Sequence, residues 1–234
     1  MAYPGRLVAL GRDAADEFNI VIYALTGRSP SSQARKMVIE SNKIWTKPTD
    51  PVTFKTENPD LLVYPAVILD RGIAVSNGQQ TADIDVRSGQ SPIEVLDLAL
   101  KDWSYEPDAP IYTPRISGCI LSSNRAALSV VKRVENGDSL RFFFEVPLIA
   151  GKGKFVATYA GENKDPLPPF HGEPLDLKLS EKSVKALVEA VYGALKPAAG
   201  DVDFRVAVAC IFAQKSDMTN RQIAIINRHE RTST

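Results

Sequence analysis

The chain has 234 residues, enough for one large domain or two small ones, and its 44% hydrophobic and 24% charged content is ordinary for a globular protein. A formal net charge of zero and a pI of about 6.7 give no overall field to draw in nucleic acid or an anionic membrane surface. A single bound phosphate is not excluded, because it needs only local positive charge.

The chain opens with a hairpin expected from residues 6–10 and 18–25, with Gly11 and the polar run after it supplying the turn. The second strand ends in a hydroxyl-rich loop, Thr26-Gly27-Arg28-Ser29-Pro30-Ser31-Ser32. Residues 36–40 and 43–46 form another hairpin around Ser41-Asn42, and 47–59 is a Pro- and Thr-rich connection. Strands over 61–69 and 72–76 follow, joined at Asp70-Arg71. Their apolar residues run almost without interruption, which suits strands covered on both faces. They end at a second polar loop, Ser76-Asn77-Gly78-Gln79-Gln80-Thr81.

Ser91 as N-cap, Pro92 at the first helical position and Glu94 three residues after the cap predict a helix with a capping box. Ile93, Leu96, Leu100 and Trp103 fall on one of its faces. Beyond it, Tyr105-Glu106 through Thr113-Pro114-Arg115 contains three prolines in eight residues, at 107, 110 and 114, so neither helix nor interior strand can form there. Strands are expected at 115–122, 128–134, 139–148 and 154–159, the middle two joined by an Asn136-Gly137 turn. Residues 160–174 form a long loop stiffened by four prolines. A second helix is read from Ser180, with Val184, Leu187, Val188, Val191, Tyr192 and Leu195 as its apolar stripe. Strands at 203–212 and 222–226 close the chain, and the polar tail from about residue 228 is expected to fray. Residues 1–234 thus read as one α+β domain with a large antiparallel β core. Two stacked sheets with helices outside them would bury these strands.

Chemical motifs are sparse. Cys119 and Cys210 lie inside apolar runs and read as buried free thiols of a reducing compartment. His171 and His229 have no ligand-spaced partners, so no metal site is expected. The usual dinucleotide and phosphate-loop glycine patterns are missing, so an enzyme built from this chain is expected to work without a bound cofactor. No run of 18 apolar residues occurs, and Met1-Ala2-Tyr3-Pro4-Gly5-Arg6 has no apolar leader segment. The reading is a cytoplasmic protein without a membrane partner. No Ser, Thr or Cys is placed to become a new N-terminus, which argues against an N-terminal-nucleophile amidohydrolase.

Taken singly, the polar loops say little; in order they say much more. The series comprises Arg28-Ser29, Asn58-Pro59, the Tyr64 strand, Val75-Ser76-Asn77-Gly78, Tyr105-Glu106-x-Asp108 and Thr113-Pro114-Arg115-Ile116. Tyr159-x-Gly161-Glu162-Asn163 and Pro168-Pro169-Phe170-x-Gly172-Glu173-Pro174 complete it. Together they resemble the archaeal-type IMP cyclohydrolase family. One departure stands out: an Asn usually precedes Thr-Pro-Arg in that family, and here the position is Tyr112.

The resemblance implies a four-layer α-β-β-α sandwich like that of N-terminal-nucleophile hydrolases, without the nucleophile. It also implies a reaction in purine biosynthesis, in which 5-formamidoimidazole-4-carboxamide ribotide closes to inosine monophosphate with loss of water. On that reading Arg28, Tyr64 and Glu106 are catalytic. Glu106 would accept a proton or orient the carboxamide, Tyr64 would donate to the formyl oxygen, and Arg28 would stand beside the oxyanion or the phosphate. Ser29, Asn77, Gly78, Tyr105, Thr113, Arg115 and Asn163 would bind substrate, with Arg115 either on the phosphate or paired with Glu106. The 160–174 loop would close over the ligand. Two alternatives stay open: an amide hydrolase on the same fold, and a non-catalytic purine-nucleotide-binding protein. A homo-oligomer is left open as well.

Overall fold

A computed structural model describes residues 3–231 apart from 57, 88 and 89; Met1, Ala2 and the end of the polar tail, 232–234, lie outside the described residues. The chain begins with β1 (Arg6–Arg12), β2 (Phe18–Thr26), a single helical turn α1 (Pro30–Gln33), β3 (Arg35–Glu40) and β4 (Lys43–Pro48). It continues through β5 (Tyr64–Leu69), β6 (Ile73–Ser76), α2 (Pro92–Leu100), β7 (Arg115–Ile120), β8 (Ala126–Arg133) and β9 (Ser139–Val146). The last third supplies β10 (Lys152–Ala157), β11 (Leu175–Lys178), α3 (Val184–Ala194), β12 (Arg205–Gln214) and β13 (Arg221–Asn227).

These strands form two antiparallel sheets in an α+β fold. One runs β11-β10-β1-β2-β12-β13 and the other β3-β4-β5-β6-β7-β8-β9. Their nearly continuous apolar runs are explained by the packing on each face. In β2, Val21, Tyr23 and Leu25 join the core shared with the second sheet, which contributes Met37, Ile44, Tyr64, Val67, Val75 and Ile116. The alternate residues Ile20, Ile22 and Ala24 instead meet Val184, Leu187, Val188 and Tyr192 of α3. On the second sheet, Ala74, Cys119, Ala127 and Val131 lie against Val95, Leu96 and Leu100 of α2. The capping box of α2 is present as read: the Ser91 hydroxyl accepts from the Glu94 N–H and the Glu94 carboxylate from the Ser91 N–H. Such a cap is worth about 1 kcal/mol. At the other end, Arg141 donates to the carbonyls of Leu100, Lys101 and Trp103, meeting otherwise unpaired groups at the helix C-terminus.

Several local expectations are corrected. The cap of α3 is Ser183, whose hydroxyl accepts from the Ala186 N–H. Ser180 stands three residues earlier, directly after Leu179, whose N–H is still bonded to Gly151. Gly11 belongs to β1; the hairpin turn is held by Asp13, which accepts from the N–H groups of Ala15, Glu17 and Phe18. Residues 59–61 form a 3-10 turn started by Pro59, so the strand begins only at Tyr64. The alternating Leu175-Asp176-Leu177-Lys178 pairs with β10 as an edge strand missed behind Pro174. Described tail residues are docked: His229 meets the Gln33 carbonyl at 2.8 Å and Arg231 pairs with Glu189. Among the described residues, no helix is long and apolar enough to cross a membrane.

Candidate active site

One end of the two sheets gathers the start of β1, the end of β2, the starts of β3, β5 and β7, and the ends of β6 and β10. Arg6 owes its position there to Gly5. That glycine has a positive φ of 73°, and a Cβ on it would lie 2.1 Å from the Thr158 hydroxyl and 2.6 Å from the Tyr159 ring. We therefore expect Gly5→Ala to destabilise the fold by several kcal/mol through backbone strain and overpacking, read as a large fall in Tm. A Tm within about 2 °C of the parent would refute this.

A cleft of about 290 Å³ opens at this end, near the lower limit of small-molecule sites. Arg6, Arg28, Ser29, Glu106, Asp108 and Tyr159 are among its walls. A larger groove of about 480 Å³ is lined by Asn163, Lys196, Asp201 and Phe204 among others, and none of its lining residues is a buried titratable group. The buried charged side chains Arg6 and Glu106 line the smaller cleft.

Glu106 is the centre of that cleft, 1% exposed. Its Oε1 accepts from the Asn77 amide at 2.9 Å, and its Oε2 lies 3.4 Å from the Arg6 guanidinium. Burial pushes its carboxyl up to about 7, against the pull of Arg6 and Arg115 and with Asp108 adding to the rise. A carboxyl so placed can hold or take a proton at neutral pH.

The proline-stiffened stretch positions it. The Glu106 N–H bonds to the Thr113 carbonyl at 2.9 Å, closing the stretch into a loop. Thr113 in turn donates its N–H at 2.7 Å and its hydroxyl to Asp108. With that hydroxyl proton committed, the 2.6 Å contact between Thr113 and Tyr159 must be donated by Tyr159. Asn77 spends all its hydrogen-bonding groups inside the protein. Its amide donates to Glu106 and to the Pro114 carbonyl, while its oxygen accepts from the Ile116 N–H and the Gln80 amide. Gln80 also accepts from Arg115 at 3.0 Å, so Arg115 reaches Glu106 through two amides without a direct ion pair. Arg115 further donates to the Ser104 carbonyl and lies over the Trp103 ring. A Cβ on Gly78 would lie 2.5 Å from Gln80 Oε1 and 2.8 Å from Arg115, so the glycine leaves room for that bond.

The remaining expected residues divide. Arg28 and Asn163 meet at the cleft rim: the guanidinium reaches the Asn163 oxygen and the Lys164 carbonyl, both at 3.4 Å, and sits over the Tyr3 ring. Ser29 caps α1 by accepting from the Ser32 N–H, with its side chain on the cleft wall. Tyr64 is not among the cleft walls: it is fully buried, near enough to Arg6 to act on its charge, with its hydroxyl 2.8 Å from that of Tyr23. Tyr105 turns away and donates to the Gly137 carbonyl in the β8–β9 turn. Tyr112 packs edge-on against it at a positive φ of 50°. Asn adopts that left-handed conformation more readily than Tyr, which accounts physically for the Asn usual there in the family the sequence resembles.

Arg6 and Arg35 were not anticipated as site residues. Arg6 makes only two long contacts, both 3.4 Å, to Glu106 and the Leu61 carbonyl, and among the described residues its buried Nε has no partner. Burial opposes its charge, but Glu106 and the phenols of Tyr64, Tyr159 and Tyr23 outweigh that and hold its pKa above the usual range. Arg35 is fully buried and donates to the Ser32 hydroxyl and carbonyl, with no carboxylate among the described residues paired to it. Each is an arginine at the first position of a strand, which by itself does not tell a buried guanidinium from a solvated one. Three buried guanidiniums (Arg6, Arg35 and Arg115) thus act on Glu106, an excess of positive charge suited to an anionic ligand.

Compared one by one with curated proteins, the chain matches none. A family model described as IMP cyclohydrolase-like protein matches residues 3–217. That span takes in every wall of the cleft and both sheets up to the end of β12, and on this match the chain belongs to the IMP cyclohydrolase-like protein family.

Proposed function

We propose that the chain is an IMP cyclohydrolase of purine biosynthesis, closing 5-formamidoimidazole-4-carboxamide ribotide to inosine monophosphate. Membership of the family supports a role in purine biosynthesis, and Glu106 carries the specific reaction. The carboxamide nitrogen forms a bond to the formyl carbon and gives up a proton to Glu106. The formyl oxygen takes up a proton as its C=O becomes a hydroxyl. The formamido nitrogen then gives up its N–H proton, the hydroxyl takes up a second proton, and the C–O bond breaks to release water and leave a C=N bond in the new ring. Both reacting groups sit on one imidazole, so proximity is largely built into the substrate. The protein has to hold the formyl rotamer, polarise its oxygen and move protons.

Arg6 is our assignment for the cation beside the developing oxyanion, since its long contacts and free Nε leave donors to spare. Tyr64 supplies a second donor. Arg28 and Ser29 hold the anionic end of the ribotide at the rim. Asn77, Gly78, Thr113 and Arg115 act by fixing Glu106, and Asn163 by anchoring Arg28. The two sheets and the helices packed on their outer faces support the four-layer arrangement of N-terminal-nucleophile hydrolases, here without the nucleophile. An amide hydrolase using a cysteine gains no support: Cys119 is buried and its thiol is pushed up to about 12, and burial lifts Cys210 further. Reduced, buried cysteines accord with the cytoplasm.

The test is direct. The protein is mixed with the formylated ribotide and ultraviolet absorbance is followed as the purine ring forms. A spectral change that scales with protein concentration is expected. No change, with a thermal shift on adding inosine monophosphate, would instead identify a nucleotide-binding protein.

A further inference from the structure

Two hydroxyls meet in the core between the sheets, with the buried guanidiniums of Arg6 and Arg35 near enough to act on both phenols. Tyr23 comes from β2 in one sheet and Tyr64 from β5 in the other, and their oxygens are 2.8 Å apart with both residues fully buried. Both rings belong to the apolar cluster shared by the two sheets, with Val8, Leu10, Met37 and Ile44 among its members. Each hydroxyl has left water for a single partner, an arrangement that brings little net stability.

The pair is not symmetric. Tyr64 is the first residue of its strand and follows Leu61 and Leu62, which line the cleft. Tyr23 lies three residues inside the end of β2, level with Val8 on β1, and so sits deeper than Arg6. Burial, then the neighbouring Tyr64, lifts its pKa well above the ordinary phenol value, so Tyr23 keeps its proton at any working pH. One of the two O–H groups must donate to the other oxygen. When Tyr23 donates, the Tyr64 proton is released to point elsewhere.

We infer that Tyr23 is a positioning residue for the proposed cyclisation: it donates to the Tyr64 oxygen and turns the Tyr64 O–H toward the formyl oxygen in the cleft. This rests on the cyclohydrolase reading. No bond to Tyr23 forms or breaks; it fixes the direction of one donor.

The experiment compares Tyr23→Phe, Tyr64→Phe and the double variant in the cyclisation assay, with thermal unfolding alongside. Each change deletes one oxygen, and the double variant leaves no unpaired hydroxyl, so folding is expected in all three. Tyr23→Phe should lower kcat about tenfold with KM within about twofold, the value of one lost hydrogen bond. In the Tyr64→Phe background it should cost nothing more. A structural role would instead lower kcat by the same factor in both backgrounds, and that result overturns the inference. So does an unchanged kcat for Tyr23→Phe in a wild-type protein that cyclises. A wild type that closes no ring removes the cyclohydrolase reading and this inference together.

Discussion

Glu106→Gln is expected to lose about 10²- to 10⁴-fold in turnover, and with it the rise in rate through pH 7. In the wild type, kcat/KM should climb as pH increases through about 7, because only the ionised carboxylate can accept the carboxamide proton. The glutamine keeps an acceptor for Asn77, so the loss reports proton transfer more than collapse of the network. Stability carries the opposite sign. The folded carboxyl lies above its ordinary value of 4.5, so its contribution to stability is fully present below about 4.5 and is lost as pH rises through about 7. That gap corresponds to about 3 kcal/mol. Urea titrations at pH 5 and pH 8 should therefore show the wild type losing stability relative to Glu106→Gln. A flat pH–rate profile from 6 to 8, or a variant with near-parental turnover, would sink Glu106 as the base.

How much of this was legible beforehand follows from what kind of information each feature uses. The elements of the two-sided core were readable because burial on both faces leaves almost unbroken apolar runs, as in β2 and β12. The α2 cap was readable because a capping box is local. The α3 cap was misplaced because two serines three residues apart are not distinguished by type alone: Ser180 and Ser183 differ only in what surrounds them. Glu106 stands out in the sequence through its motif, and the structure buries it at the cleft. Its partner Arg6 was missed because the two are 100 residues apart, and an arginine opening a strand looks the same whether it meets water or a buried carboxylate. Asn77 was read as a ligand contact, and nothing local indicates that four internal hydrogen bonds occupy it. Tyr64 likewise was placed in the right strand, yet its hydroxyl partner lies in the other sheet.

Arg6→Met should damage stability and turnover together. It removes the nearest cation from Glu106, one of the influences that hold the carboxyl down, so the pH–rate limb moves to more alkaline pH. At pH 8 the variant buries a carboxylate without its ion-pair partner, a loss of about 3–5 kcal/mol when one member of a buried pair is deleted. Lowering the pH to 5 protonates Glu106 and should return much of that stability. Adding Glu106→Gln to Arg6→Met should do the same at pH 8, because a neutral amide needs no counter-charge. Turnover does not recover in either case, since the donor beside the oxyanion is gone, at a cost of 10²-fold or more. The two readouts therefore separate. Equal urea midpoints for Arg6→Met at pH 5 and pH 8 would show that the ion pair does not govern Glu106, and the long 3.4 Å contact would then have to be read as mere proximity.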